Sequence, residues 1–234
     1  MNSLPRASIK CLLLTIFTIG QAANTSSGFH FGGQIAYLNS SVESSITDSI
    51  EIQGNTTLLT TTVEKRYYSV TGFAPGVVAG YKFLKDNLYF DASLTLLTSN
   101  AEHTEEDKTD NVGRTFTLKA NHLIYPFVTA GYLVNSDTMI GLKAGYGREN
   151  WHVDYSPQDQ NLSTKADFDS NGWLIGAEIL TVIRDNMSIG LNATYSRIDK
   201  FTAQTNTTNQ TCALCLAPET TNISAALVYS PASK

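Results

Sequence analysis

The sequence predicts an all-β fold, an eight-stranded antiparallel up-and-down transmembrane β-barrel, and three observations carry that expectation. Apolar residues recur with period two, not 3.6, which is the spacing of one face of a strand. The connections between these periodic segments alternate strictly between short and long. The apolar face is continuous, whereas the opposite face is mostly Gly, Ser, Thr and Asn. A barrel in water needs the reverse, with its apolar face inside.

The first 23 residues stand apart from this pattern. Arg6 and Lys10 precede an apolar run from Cys11 to Gly20, and Gln21-Ala22-Ala23 follows. A basic start, a short apolar core and small residues for cleavage make a secretory signal peptide, cut after Ala22 or Ala23. Cys11 lies before the apolar core instead of after it, which argues against a lipoprotein anchor. The expected organisation is a signal peptide over 1–23 and a barrel with four long extracellular loops over 24–234. Removing the leader takes away Arg6 and Lys10 and moves the net charge from -5 to -7. An acidic chain excludes a basic nucleic-acid-binding face. The mature part has no run approaching the ~18–20 apolar residues of a membrane helix, so any membrane crossing is by strands.

Eight segments follow in order, each with an apolar face and a small or polar one. Segment 28–38 sets Phe29, Phe31, Ile35 and Tyr37 against His30, Gly32, Gln34 and Ala36. Segment 70–83 sets Phe73, Val77, Ala79, Tyr81 and Phe83 against Gly72, Gly76, Gly80 and Lys82. Segment 88–98 alternates Leu88, Phe90, Ala92, Leu94 and Leu96 with Tyr89, Asp91, Ser93 and Thr95. Segment 116–133 places Phe116, Leu118, Ala120, Ile124, Val128 and Tyr132 opposite Lys119, Asn121, Thr129 and Gly131. Segment 138–149 has Ile140, Leu142, Ala144 and Tyr146 against Gly141, Lys143, Gly145, Gly147 and Glu149. Segment 168–181 has Trp173, Ile175, Ala177 and Ile179 against Gly172, Gly176 and Glu178. Segment 187–197 has Met187, Ile189, Leu191, Ala193 and Tyr195 against Ser188, Gly190, Asn192 and Thr194. Segment 221–229 closes with Ile223, Ala225, Leu227 and Tyr229. His122 and Leu174 fall on the wrong faces. Pro75 and Pro126 each lack a ladder donor, which predicts bulges there.

Short connections lie at 84–87, 135–137 and 184–186, rich in the turn residues Asn and Asp. Long ones cover roughly 39–69, 99–115, 150–167 and 198–220, rich in Ser, Thr, Asn, Asp and Glu. In a meander this puts the short turns at one end and the long loops at the other, the asymmetry of outer-membrane barrels. Parity and direction then predict two aromatic girdles. Phe29, Phe83, Phe90, Tyr132 and Tyr229 form the lower one, and Tyr37, Phe116, Tyr146, Trp173 and Tyr195 the upper. The same parity sends Lys82, Asp91, Lys119, Lys143, Glu149 and Glu178 into the lumen, where buried charges must pair. An internal ion-pair and hydrogen-bond network plugging the barrel is expected, with a proton or ion path as the functional alternative.

The residues Gly172-Trp173-Leu174-Ile175-Gly176-Ala177-Glu178, Arg184-Asp185-Asn186-Met187-Ser188-Ile189 and Ala193-Thr194-Tyr195-Ser196 resemble the closing hairpin of OmpA-like and opacity-protein-like outer-membrane barrels. The architecture is similar over about 28–229 and the motifs over about 172–197. The resemblance implies a surface antigen or adhesin in a Gram-negative outer membrane with its long loops facing outside. The partners it implies are outer-membrane lipid and lipopolysaccharide, the barrel assembly machinery, and a host-surface ligand held by the loops. Members usually end at a C-terminal aromatic residue read by that machinery, whereas here Ser230 to Lys234 follow Tyr229.

The four histidines, His30, His103, His122 and His152, show no Ser-His-carboxylate pattern. His103 lies among Glu102, Glu105, Glu106 and Asp107, read as a solvated loop, with weak cation binding as the alternative. Cys212-Ala213-Leu214-Cys215 is a lone CxxC without the strand-helix context of redox motifs. It is read as a short disulfide pinning the last long loop, with free thiols or an assisted metal site as alternatives. No catalytic residue, cofactor or metal is assigned. Loops 39–69, 99–115, 150–167 and 198–220 carry net charges of -2, -3, -2 and -1, which disfavours polyanion binding through basic patches. The expected function is structural or surface recognition through acidic, polar loops; a lipid-modifying barrel enzyme or a narrow pore is the alternative.

Overall fold

A computed structural model describes residues 27–51, 58–107, 114–157, 164–184, 186–207 and 210–231. The predicted leader therefore lies outside the described residues. The described residues form ten strands: β1 Gly28–Glu51, β2 Leu58–Lys85, β3 Leu88–Thr98, β4 Glu102–Asp107, β5 Arg114–Leu133, β6 Thr138–Pro157, β7 Thr164–Arg184, β8 Met187–Ile198, β9 Phe201–Thr207 and β10 Gln210–Tyr229. All pairings are antiparallel, in the order β1-β10-β8-β7-β6-β5-β3-β2, and β2 pairs back to β1 to close an eight-membered ring. β4 and β9 are the upper pieces of the staves begun by β3 and β8. Closure leaves the apolar zone without a free edge, which lipid demands because it offers no water to unpaired backbone groups.

Side-chain exposure follows the predicted parity around the lower barrel. Phe31, Ile35, Phe73, Val77, Phe90, Val128, Leu142, Ile175, Ile223 and Leu227 point outward and are exposed. Aromatic pairs band both rims of this belt: Phe29–Tyr81 and Phe31–Tyr229 below, Tyr37–Phe73 and Tyr146–Trp173 above. At the short-turn end Asp86 takes φ 54°, a left-handed conformation that Asp tolerates better than most residues. Asn135 Oδ1 accepts from the Asp137 and Thr138 amides and shapes the next turn.

Four expectations are corrected. First, the long loops are largely strand. β1 with β2, β6 with β7, and β9 with β10 continue as paired ladders far beyond the belt. Where their side chains are described, the outward faces are polar and the inward faces largely apolar: Leu38 and Val42 on β1, Tyr68 and Val70 on β2, and Trp151 and Val153 on β6 are buried. The alternation thus changes phase where the belt ends, and reading one phase ends each strand too early.

Second, the bulges lie elsewhere. Register shifts occur between Ser45 and Ile46, between Ala120 and Leu123, and between Val182 and Arg184. Pro126 causes no register shift: the ladder to β6 passes from Ile124↔Arg148 to Phe127↔Gly145 in the same register. Pro75 sits just above the first β2–β3 pair, Gly76↔Leu97, where its missing donor breaks no pairing.

Third, the Ala120/Leu123 bulge reverses β5. Leu123, Tyr125, Phe127 and Thr129 are buried below it, and Leu118 and Ala120 above it. Phe116, Leu118 and Ala120 therefore face inward, Phe116 is no girdle residue, and Lys119 faces outward. His122, the misfit of the sequence pattern, lies at the bulge.

Fourth, Cys215 is a free thiol, its Sγ 3.3 Å from Thr202 Oγ1. The backbone of β10 pairs continuously with β9 through both cysteine positions. Residues three apart on a strand lie on opposite faces, roughly 10 Å apart, beyond the about 7 Å that a disulfide can bridge. The Cys212 side chain itself is outside the described residues.

Gly131 and Gly141 face each other across β5 and β6 and leave a slot for the Tyr89 ring. A Cβ on Gly131 would lie 2.1 Å from Tyr89 Cε1 and 2.4 Å from the Ile140 carbonyl oxygen. Gly131→Ala is expected to destabilise the barrel by about 1–3 kcal/mol through overpacking, read as a lower urea midpoint in detergent micelles.

Candidate functional site

The lumen is layered instead of uniformly polar. At the short-turn end, two small apolar clusters form a floor, one of Val78, Ala226 and Val228 and one of Tyr89, Met139 and Val182, with Leu180 packed against both. Above it lies a charged layer supplied by six staves. Lys143 Nζ binds Glu178 Oε2 at 2.9 Å and Asn192 Oδ1 at 3.0 Å, and sits 4.7 Å from the centre of the Phe127 ring. Tyr89 donates to Glu178 Oε1 at 2.9 Å. His30 Nδ1 lies 3.4 Å from Asp91 Oδ2 without a hydrogen bond, and buried Lys82 stands opposite Asp91 in the β2–β3 register. Cation and carboxylate are interleaved, as burial of charge requires. The open space left here is about 40 Å³, enough for a few water molecules.

Higher still, Glu149 is completely buried. Four neutral groups donate to its carboxylate: Tyr125 Oη at 2.6 Å and Ser196 Oγ at 3.0 Å to Oε1, and Trp151 Nε1 at 3.1 Å and Thr220 Oγ1 at 3.5 Å to Oε2. These donors come from β5, β6, β8 and β10, so one side chain ties four staves across the barrel. Burial of so many partners around one acceptor makes its loss expensive.

Of the six charges expected in the lumen, the structure places five inside: Lys82, Asp91, Lys143, Glu149 and Glu178. It brings Lys143 and Glu178 into contact, sets Lys82 and Asp91 in one cross-strand pair, and puts Glu149 in a separate neutral setting. Lys119 is outside, in an outward row running Glu102, Lys119, His152, Asp167 across four strands. His152 Nδ1 and Asp167 Oδ1 are 2.7 Å apart. The next row pairs Asp154 with Lys165 at 2.9 Å. Arg148 pairs with Asp169, and together with Asn150 it holds that carboxyl below its usual range. Any stabilisation from this pair is therefore intact at neutral pH and is lost only as pH falls through the lowered value. Sequence parity missed His30, Tyr89, Tyr125 and Trp151 as network members. His30 sat on the small-residue face from the start, whereas Tyr125 and Trp151 read as ordinary aromatics.

Above Glu149 the wall divides. β9 pairs with β10 alone, and β7 meets β8 only up to Gly172↔Ile198. On the other side β4 pairs along β5 but touches β2 only at Thr71↔Glu102. Two four-stranded sheets result, β9-β10-β1-β2 and β4-β5-β6-β7. Their inner faces pack Leu38, Val42, Tyr68, Val70 and Leu216 against Leu118, Trp151 and Val153. Aromatic contacts bridge both seams: Phe168 stacks on Phe201 at 4.5 Å, and Tyr68 meets Phe116 at 4.8 Å and His103 at 5.4 Å. His103 is thus engaged in ring packing at a seam.

A family model described as "Outer membrane protein beta-barrel domain" matches residues 9–230. No curated protein matches. Among solved structures, the outer membrane protein OprG of Pseudomonas aeruginosa is similar at 14% identity and TM-score 0.57, over 90% of this chain and 100% of that one. Neisserial surface protein A is similar at 15% identity and TM-score 0.48, over 87% and 97%. At 14% identity the likeness to OprG is one of fold.

Replacing Glu149 with Ala leaves buried donors unpaired and is expected to lower stability by about 1–3 kcal/mol. The expected readouts are a lower urea midpoint and a red-shifted emission from Trp151.

Proposed function

Because the chain belongs to the outer membrane protein β-barrel domain family, it is a barrel of the Gram-negative outer membrane, and we propose that it serves there as a surface-recognition scaffold. The observation that carries this reading is the combination of a filled lumen with two sheets standing beyond the apolar belt. Charge pairs, Glu149 and the apolar cluster occupy the interior, so a pore is disfavoured. The outward faces of the sheets carry rows of polar and charged side chains held at fixed spacing, and rigidly mounted contact residues are how scaffolds present recognition surfaces. In this reading the hairpin end faces outside, lipid and lipopolysaccharide surround the belt, and the barrel assembly machinery inserts the chain. A host-surface ligand is the partner of the sheets.

Two experiments test it. With both cysteines replaced by serine, Thr104→Cys at the hairpin end is expected to react with a membrane-impermeant maleimide on intact cells. Asp86→Cys at the turn end is expected to react only after the outer membrane is permeabilised; the opposite result would overturn the orientation. A non-adherent Gram-negative strain displaying the protein is expected to gain adherence to epithelial cells. Unchanged adherence together with a steady single-channel conductance in planar bilayers would favour the pore instead.

A further inference from the structure

On the outer wall, just above the belt, a groove of about 680 Å³ crosses five adjacent staves. This is within the about 300–1,000 Å³ of small-molecule sites. Strand register builds it. One continuous row runs Trp173, Arg197, Glu219, Ser41 over β7, β8, β10 and β1. The next row runs Ala217, Glu43, Tyr67 over β10, β1 and β2. The link between β8 and β9 adds Asp199 and Lys200. It is anchored by the Asp199 amide donating to the Asn171 carbonyl at 2.8 Å and by Ser170 Oγ donating to the Asp199 carbonyl at 2.6 Å.

Its chemistry narrows the ligand. Two large aromatic rings stand at the ends, Trp173 at 72% and Tyr67 at 68% exposure. The lining also holds Arg197 and Lys200 together with Glu43, Asp199 and Glu219, a set with one excess negative charge. That balance disfavours a polyanion, because three carboxylates would repel it. It suits a neutral, polyhydroxylated molecule. Carboxylates accept from hydroxyls, Arg and Lys donate to ring and hydroxyl oxygens, and the aromatic faces cover the apolar faces of pyranose rings. The Arg197 guanidinium lines the groove, 3.8 Å from Glu219 Oε1 and 75% exposed, so it keeps donors open to solvent.

The geometry points to a saccharide-binding groove, occupied by a neutral oligosaccharide from either the lipopolysaccharide core beside it or a host glycan above it. The assignment deepens the surface-recognition reading and rests on the hairpin end lying outside.

The test uses the full mature barrel in lipopolysaccharide-free phosphatidylcholine nanodiscs with both tryptophans kept, and Trp173→Phe is the control that assigns any emission change to Trp173, Trp151 being buried in the core. Three probes are titrated: a neutral hexose oligosaccharide of the outer lipopolysaccharide core, free of the acidic inner-core sugars, a neutral mammalian tetrasaccharide, and sucrose octasulfate as the polyanion. A saturable change in Trp173 emission with one of the two neutral sugars is expected, and the one that binds identifies the source. In calorimetric titrations Arg197→Ala and Glu219→Ala are expected to raise Kd at least tenfold, while heat-dependent gel migration shows that the barrel still closes. Ser41→Trp, which fills the groove from β1, serves if either variant fails to fold. Binding of neither neutral sugar, binding of sucrose octasulfate alone, or affinity unchanged in every groove variant would overturn the assignment. A null titration with Thr104→Cys labelling and adherence intact removes the groove and leaves the surface reading standing.

Discussion

Everything in this molecule follows from a change of solvent along a single wall. Below the upper aromatic pairs the outside of each stave meets hydrocarbon, so its outward residues are apolar and every backbone group must find a partner within a closed ring. Above them the outside meets water, and the same stave reverts to ordinary behaviour, polar outside and apolar inside. The reversal explains why the interior is layered. Where the outer face is greasy, the small interior holds Gly, Ser, Thr and interleaved charges above a thin apolar floor; where the outer face is wet, the interior becomes a conventional core. It also explains why the ring can open into two sheets only beyond the belt, where water can satisfy the released strand edges.

That reversal also decides what could be seen in the sequence. Period two, the strict alternation of connection lengths and the side of the sheet carrying Phe, Leu and Tyr were legible because they express the hydrocarbon requirement directly. The upper strands were hidden by the phase change. Tyr37 and Leu38 are adjacent apolar residues on opposite faces, one the last to meet lipid and the other among the first of the upper core. Read with one phase, the pattern breaks there and looks like a loop. In β5 the opposite illusion arises, since even-numbered apolar residues continue from Phe116 to Tyr132. A local bulge lets them serve the core above and lipid below, and that register slip sends Lys119 outside. The pattern offered only one clue, His122 where an apolar residue was due.

The interior charges illustrate a second limit. Parity could say that Lys143, Glu149 and Glu178 point inward, because direction is a property of the strand. It could not say which of them meet, because contacts depend on stagger between strands distant in sequence. Glu178 found Lys143 and Tyr89, whereas Glu149 came to rest among hydroxyls and an indole. The outer groove has the same origin: Trp173, Arg197, Glu219 and Ser41 are far apart in the chain, and only the pairing register sets them in one row.

The β5 bulge has an evolutionary corollary. Since neighbouring positions on a stave belong to opposite environments, an odd-numbered insertion or deletion inside a ladder trades every residue beyond it between the inside and the outside of the wall, whereas an even-numbered one keeps them apart. Lineages of this barrel can therefore lengthen or shorten their staves most cheaply by two residues at a time, and a single-residue change survives where a compensating irregularity absorbs it. The irregularity at Asn121 and His122, between Ala120↔Trp151 and Leu123↔Glu149, is the kind of place where such an odd step is accommodated.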